Sequence, residues 1–447
     1  MNGNEREQWQ SRLGFIAAAA GSAIGLGNIW RFPYITGKYG GGAFVLLYIL
    51  IVIFVGYPVM NSELLLGRKT QRAAVGTFKA LAPGTPWVIV GYMGVLAGFM
   101  ILSYYSVVAG WALAYIFKSG AYMAAGAEPA NIFVGLITSP SGGLFWHTLF
   151  MLMCIGIVAG GIQKGIERWS LILMPALFIL LIILIIRSVT LPGAEAGLAF
   201  YLKPNLKNFS GEGFLAALGQ VFFSLSLGMG CMVTYGSYLK KSEDIPLDAK
   251  YIVISDTSVA LLAGFVIFPA VFAFGLEPAA GPSLTFITIP AVLAKMGASG
   301  HIFGIIFFTL LMIAALTSAI SLLEVAAAYF IDELKFDRKK ATVIMGILIW
   351  LLGFFPTLGY STLSHVKLIK GMDLLDSFDF VANNMLLPLG GMLTTIFIGW
   401  YWGTDKALEE VNHNASTKLG GNYAFLIKYV VPIAIFIVFL NSTGIIG

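Results

Sequence analysis

A chain of 447 residues with 58% hydrophobic and 11% charged side chains and a mean hydropathy of +0.87 is too apolar for a set of soluble domains. It reads as an integral membrane protein whose core is the helix bundle itself. The net charge of +5 calls for no nucleic acid, and Cys154 and Cys231 sit in apolar segments without metal-ligand spacing, so they read as reduced packing residues.

Polar residues 1–10 lead directly into apolar sequence, so no removable signal peptide is expected. Hydropathy predicts eleven spans, near 12–35, 42–67, 87–117, 144–161, 167–187, 214–239, 250–275, 301–331, 341–357, 376–402 and 422–445. With a cytoplasmic amino terminus, 18 of the 27 Lys and Arg residues fall inside, including Arg68-Lys69 and the Arg338-Lys339-Lys340 cluster, as the positive-inside rule requires. An odd number of spans then places the carboxyl terminus outside. The longer linkers, 118–143, 188–213 and 276–300, fall outside too. Within the last of these, the apolar run Leu284 to Leu293 is too short to cross and is expected to fold back as a capping helix.

The first span is written unlike a continuous helix. After Ala17 to Ala20 come Gly21, Gly25, Gly27, Asn28 and Arg31, at about half the depth of the roughly 30 Å hydrocarbon core. Glycines alone would read as a hinge packed closely on another helix. Asn28 and Arg31 turn the reading, because polar side chains in lipid are costly and usually functional. Backbone that leaves the helix at that depth exposes carbonyls that lipid cannot satisfy. Such carbonyls and the Asn28 amide suit a hard cation, and the amino end of a half-helix restarting at Gly27 suits a carboxylate.

The sixth span repeats the anomaly: Phe222-Phe223-Ser224-Leu225-Ser226-Leu227-Gly228-Met229-Gly230 again brings serines and paired glycines to mid-depth. Spans one and six are five apart, and an odd repeat length forces the two halves into opposite orientations. The expected fold is therefore an all-α integral membrane protein of eleven transmembrane helices, built as two inverted five-helix repeats with broken helices 1 and 6. The repeats cover 1–187 and 188–402, the second opening with the extracellular linker 188–213, and 403–447 carries the last helix. Interrupted segments at matching places in inverted halves point to an alternating-access transporter with its site at the midplane. Tyr104-Tyr105, Asp256, Thr317-Ser318, Glu324 and Asp379 add polar groups from four other spans; for the hydroxyls a bond to their own helix is the ordinary alternative. Asp256 is the most informative, since a buried carboxylate needs a cation or a proton.

These residues resemble the neurotransmitter:sodium symporter family, bacterial amino-acid branch, one of the systems from which the inverted-repeat rule was drawn. The likeness rests on Arg12-Leu13-Gly14, Gly25 through Pro33, Gly40 through Phe44, Phe223 through Gly230, Gly264 through Phe268, Phe286 through Pro290 and Leu316-Thr317-Ser318. It runs to about Asn412, and the twelfth span of many relatives is missing. The resemblance implies sodium-coupled import of a neutral amino acid, with two sodium ions. The first ion falls on Ala23, Asn28, Ser224 and Asp256, completed by the substrate carboxylate. The second falls on the carbonyls of Gly21, Ile24 and Ala314 with the hydroxyls of Thr317 and Ser318, a set of neutral oxygens that fits a small hard cation.

By the same resemblance the amino acid's carboxylate meets Gly27 and Tyr105, and its ammonium meets Ala23, Phe223, Ser224 and Ser226. Its side chain lies among Leu26, Ile101, Phe223, Met229, Ser318 and Leu322. With no charged partner there, a hydrophobic or aromatic L-amino acid is expected, the alternative being a small neutral amino acid or another amine-carboxylate solute. Met229, where relatives often carry a bulky ring, can adapt to a range of sizes or simply fill the core. Asp256 stands where chloride-dependent relatives are neutral, and Ala260 replaces their serine although Tyr48, Gln220 and Ser224 remain, so transport is expected to need no chloride. Proton antiport through Asp256 on the return step is a further possibility of the same site.

Arg31 and Asp379 resemble the outer gate, above Phe223 and Tyr105, while Arg6, Trp9, Tyr238 and Asp332 resemble the inner latch. Gly165 and Pro175 bracket a stretch that in relatives lets the cytoplasmic start of span five unwind. An enzyme is not expected. Gly297-Ala298-Ser299-Gly300-His301 is similar to a rhomboid nucleophile motif, yet its Ser lies in an outer loop without a base brought across the fold. Gates on both sides argue against a passive channel. The partners implied are the amino acid, sodium and the lipid bilayer of the cell's inner membrane, with the chain a monomer or homodimer.

Overall fold

The computed structural model of the protein describes residues 6–121, 128–276 and 284–445. Among these every regular element is helical. The helices are α1 (Arg12–Ala23), α2 (Gly27–Lys38), α3 (Gly42–Thr70), α4 (Ala74–Leu81) and α5 (Val88–Lys118). They continue with α6 (Pro129–Ile137), α7 (Pro140–Ala159), α8 (Ile162–Val189), α9 (Ala194–Leu202), α10 (Gly211–Ser224) and α11 (Cys231–Gly236). The remainder are α12 (Ile245–Ala273), α13 (Leu284–Lys295), α14 (Ser299–Leu334), α15 (Arg338–Leu358), α16 (Leu374–Val411) and α17 (Gly421–Thr443).

Nine of these are long and apolar enough to cross a membrane among the described residues, and ten spans result when α1 and α2, bent by 52°, are taken as one. The predicted sixth span is two shorter helices, α10 and α11, joined by non-helical backbone, so it passes no such length test by itself. Helix starts follow local chemistry: Ser11, Ser210, Asp244, Asp337 and Asp373 each accept a bond from the N–H three residues on, satisfying donors that a helix end leaves open.

The centre of the bundle is α14, the most deeply buried span, which packs along α5. Helix α1 lies against α8, α12 and α14, an approach suited to its run of small residues. By contrast α8 turns most of its apolar surface outward, where lipid would cover it. The run Leu284 to Leu293 is a helix, and Tyr115 near the carboxyl end of α5 donates to the Phe286 carbonyl at 3.0 Å.

Candidate functional site

Both predicted interruptions are breaks in the backbone. At the end of α1 Ile24 is extended (φ −73°, ψ 102°), and α2 restarts at Gly27 with a wide, π-type turn. Between α10 and α11, Ser226, Gly228 and Gly230 all take left-handed conformations, with φ of 54°, 78° and 74°. Glycine is required at 228 for space as well, since a Cβ there would stand 2.4 Å from the Leu387 carbonyl oxygen.

Side chains of other helices satisfy the freed backbone groups, as burial in a membrane demands. Gln220 donates to the Gly27 carbonyl at 2.9 Å, the Ser226 hydroxyl to the Ser22 carbonyl at 2.8 Å, and the Leu26 N–H to the Tyr105 hydroxyl at 3.0 Å. The Gly228 N–H donates to Glu63 at 2.7 Å. Glu63 is a buried carboxylate of α3 whose other oxygen has no partner among the described residues. It was not among the sequence candidates, although a lone acid within an apolar span was the signal for it.

Two polar knots flank the break. In the first, Asp256 is fully buried and accepts from Asn28 Nδ2 at 2.7 Å and from Ser224 Oγ at 2.9 and 3.0 Å. Asn28 Oδ1 accepts from the Gly25 N–H at 3.0 Å. Among the described residues every hydrogen-bond partner of this carboxylate is a neutral donor and none is a cation, the arrangement that a bound cation would neutralise. Ala23 is the last residue of α1, at the same break.

In the second knot the Ser318 hydroxyl reaches both the Gly21 and the Ile24 carbonyls, at 3.3 and 3.2 Å. The Thr317 hydroxyl lies on the carbonyls of Ile313 and Ala314, both at 3.1 Å. All five oxygens expected around a second ion take part in these bonds; Ser318 joins α14 to α1, whereas the Thr317 hydroxyl bonds back onto its own helix. All are neutral, as suits a monovalent hard cation.

Between the knots lies a small cavity of about 20 Å³, walled by Ala23, Gly27, Ile101, Tyr105, Phe223 and Ser224 and by Ser226, Met229, Ser318 and Leu322. These are all the expected pocket residues except Leu26. Leu26 instead lines a larger cavity of about 250 Å³ that shares Gly27, Tyr105 and Phe223 with the first. Ser22 and Gly25 complete the inner wall and were missed, because nothing in a small-residue run tells which members face the space.

The larger cavity also holds Arg31 and Asp379. They make no ion pair within 4 Å: the Arg31 guanidinium lies 5.0 Å from the centre of the Phe223 ring, and Asp379 accepts from Asn383 at 2.6 Å. The inner residues, in contrast, are engaged. Arg6 bonds both oxygens of Asp332 at 2.6 Å and Ser237 at 2.6 Å, Trp9 donates to the Tyr235 carbonyl at 3.0 Å, and Tyr238 bonds Glu324 at 2.5 Å. The molecule is thus latched on the Arg6 side and open above the central pocket on the Arg31 side. Ser299 of the protease-like motif donates to the carbonyl of Met296 in the turn before α14, and His301 meets Ser119.

Comparison with known proteins agrees over the whole length. The family model described as the sodium:neurotransmitter symporter family matches residues 6–134 and 136–445. A curated protein of Bacillus subtilis (strain 168), named an uncharacterized sodium-dependent transporter, YhdH, is 43% identical over 445 residues, 98% of each chain. A second uncharacterized sodium-dependent transporter, from Haemophilus influenzae, is 39% identical over 456 residues, 99% of each chain. Among solved structures, that of MhsT in complex with L-phenylalanine has a TM-score of 0.90 at 48% identity and covers 98% of this chain and 100% of its own.

Proposed function

This chain belongs to the sodium:neurotransmitter symporter family, a family of sodium-dependent transporters and not of enzymes, and from that premise we propose that it imports a neutral hydrophobic or aromatic L-amino acid together with sodium. The observation that carries the reading is the pocket between the two helix breaks, polar at the backbone end and apolar around Ile101, Met229 and Leu322. Such a lining offers peptide groups and hydroxyls to an amine and a carboxylate and an apolar wall to an uncharged side chain; the free space of about 20 Å³ is that of about one water, so the lining side chains part to admit the substrate. The phenylalanine named with the related MhsT supports the same class of substrate.

In this reading Ala23, Asn28, Ser224 and Asp256 hold one sodium, in contact with the substrate carboxylate at Gly27 and Tyr105. Gly21, Ile24, Ala314, Thr317 and Ser318 hold a second. The second ion ties α1 to α14, so its presence favours the state in which the Arg6–Asp332 latch is closed. Its loss frees α1 to swing, opening the cytoplasmic side. The eleven spans form two inverted five-helix repeats, 1–187 and 188–402, with 403–447 appended, and the amino terminus faces the cytoplasm. Asp256 supplies the fixed negative charge that makes chloride dispensable.

Uptake competition by all twenty amino acids at fixed sodium, in liposomes with the purified chain, tests the substrate class. Competition should be strongest from phenylalanine, tryptophan, leucine and their neighbours; dominance by charged amino acids would refute it. Replacing chloride with gluconate should leave uptake unchanged, and a loss would overturn the anion reading.

A further inference from the structure

The segment before α1 and the start of α8 cap each other. Glu167, buried in the first turn and a half of α8, accepts from the backbone N–H groups of Gln10 and Ser11 at 2.8 and 3.0 Å and from the Ser11 hydroxyl at 2.8 Å. In return Glu7 accepts from the Ile162 N–H at 2.9 Å, the first residue of α8, and the Gln163 side chain donates to the Gln8 carbonyl at 2.9 Å. Five bonds thus join residues 7–11 to residues 162–167. Glu167 sits at the amino end of α1 and Glu7 at the amino end of α8, where the open N–H groups and the helix dipole favour negative charge.

The fit is close on both sides. A Cβ on Gly14 would stand 2.0 Å from a Glu167 oxygen, so the carboxylate lies directly on the first turn of α1. On the other side Gly161 is left-handed (φ 86°) and a Cβ on Gly165 would stand 2.1 Å from the Ile157 carbonyl. The first turn of α8 is wide, of the π type, a form that recurs at functional sites.

We infer that Glu167 is a positioning residue that makes the detachment of residues 162–167 and the detachment of residues 7–11 a single event, with Glu7 as its reciprocal. Neither cap survives alone: withdrawing residues 162–167 removes Glu167 from the end of α1, and moving residues 7–11 removes Glu7 from the end of α8. Because α1 carries the Gly21 and Ile24 carbonyls held by Ser318, the clasp sets how firmly those oxygens stay in place. This role rests on the sodium-coupled cycle proposed above.

Hydrogen exchange followed by mass spectrometry on the full chain in lipid nanodiscs tests it, comparing wild type, Glu7→Ala and Glu167→Ala. Losing a cap should raise exchange about tenfold, and in both variants the rise should appear in both segments, 7–14 and 162–168. Glu7→Ala should therefore speed exchange at Gln10 and Ser11, which Glu7 does not touch, and both variants should need about tenfold more sodium for half-maximal substrate binding. A rise confined to each variant's own cap overturns the inference. Peptides from the middle of α14 report that the fold is intact. If Glu167→Ala does not fold, Glu167→Gln should give the same paired response at smaller size, and an unpaired one overturns the inference as well. The wild type decides the underlying reading separately: exchange at 7–14 should be slower in sodium than in potassium, and equal exchange refutes the sodium-coupled cycle whatever the variants show.

Discussion

Replacing Asp256 with asparagine removes the only charge at the first knot while keeping the shape of the side chain. Asp256 is fully buried and accepts from Asn28 at 2.7 Å and from Ser224 at 2.9 and 3.0 Å. A cation about 4 Å from that carboxylate gains about 4 kcal/mol at an effective dielectric of about 20. The asparagine amide also turns a donor toward the Asn28 and Ser224 donors, which destabilises the sodium-free state and so offsets part of that loss. A net loss of about 2–4 kcal/mol is expected, or about 30- to 1,000-fold in the sodium concentration for half-maximal substrate binding. The assay is a sodium titration of radiolabelled substrate binding to the purified chain, with thermal unfolding as a check on folding. A half-saturating sodium concentration within about threefold of wild type would refute the placement of an ion beside Asp256.

Three further outcomes follow from the geometry. Ser318→Ala deletes the hydroxyl that joins the Gly21 and Ile24 carbonyls and should weaken sodium binding by about tenfold; an unchanged sodium titration would contradict the second ion site. Gly25→Ala places a methyl group 2.6 Å from Ser318 Oγ and 2.7 Å from the Tyr105 hydroxyl, so substrate affinity measured by equilibrium dialysis should fall about 10- to 100-fold, and wild-type affinity would show that the small cavity is not the substrate pocket. Glu410→Ala strips the partner from Arg68, which is buried with Nε 3.0 Å from Glu410. Leaving that cation unpaired should destabilise the chain by about 3 kcal/mol, seen as a lower Tm, with sodium dependence retained; an unshifted Tm would refute it.

Much of this was legible in the residues because lipid is a strict solvent. A glycine-rich stretch with Asn28 at mid-depth leaves few solutions besides a break, and the break lies where the sequence put it, between Ala23 and Gly27. The pocket residues followed from that break by resemblance, and ten of the eleven line one cavity. Leu26 did not, because a bend of 52° turns a side chain by an amount that no sequence period encodes. The partners of the freed backbone were also hidden. Glu63 and Gln220 come from distant turns, and a hydrogen bond between remote segments leaves no local pattern. The outer pair, Arg31 and Asp379, lines one cavity without closing, since sequence identifies the members of a gate and not its position in the cycle. The reciprocal caps at Glu7 and Glu167 were equally invisible, each looking like an ordinary surface acid near a helix end.

The central claim is that sodium and a neutral amino acid pass together through the gap between the broken helices. Accumulation of radiolabelled L-phenylalanine in liposomes containing the purified chain, under an inward sodium gradient, tests it most directly. The account predicts transient uptake above the equilibrium level that disappears when potassium replaces sodium or the gradient is dissipated. Uptake that merely equilibrates, at the same rate with and without sodium, would contradict it.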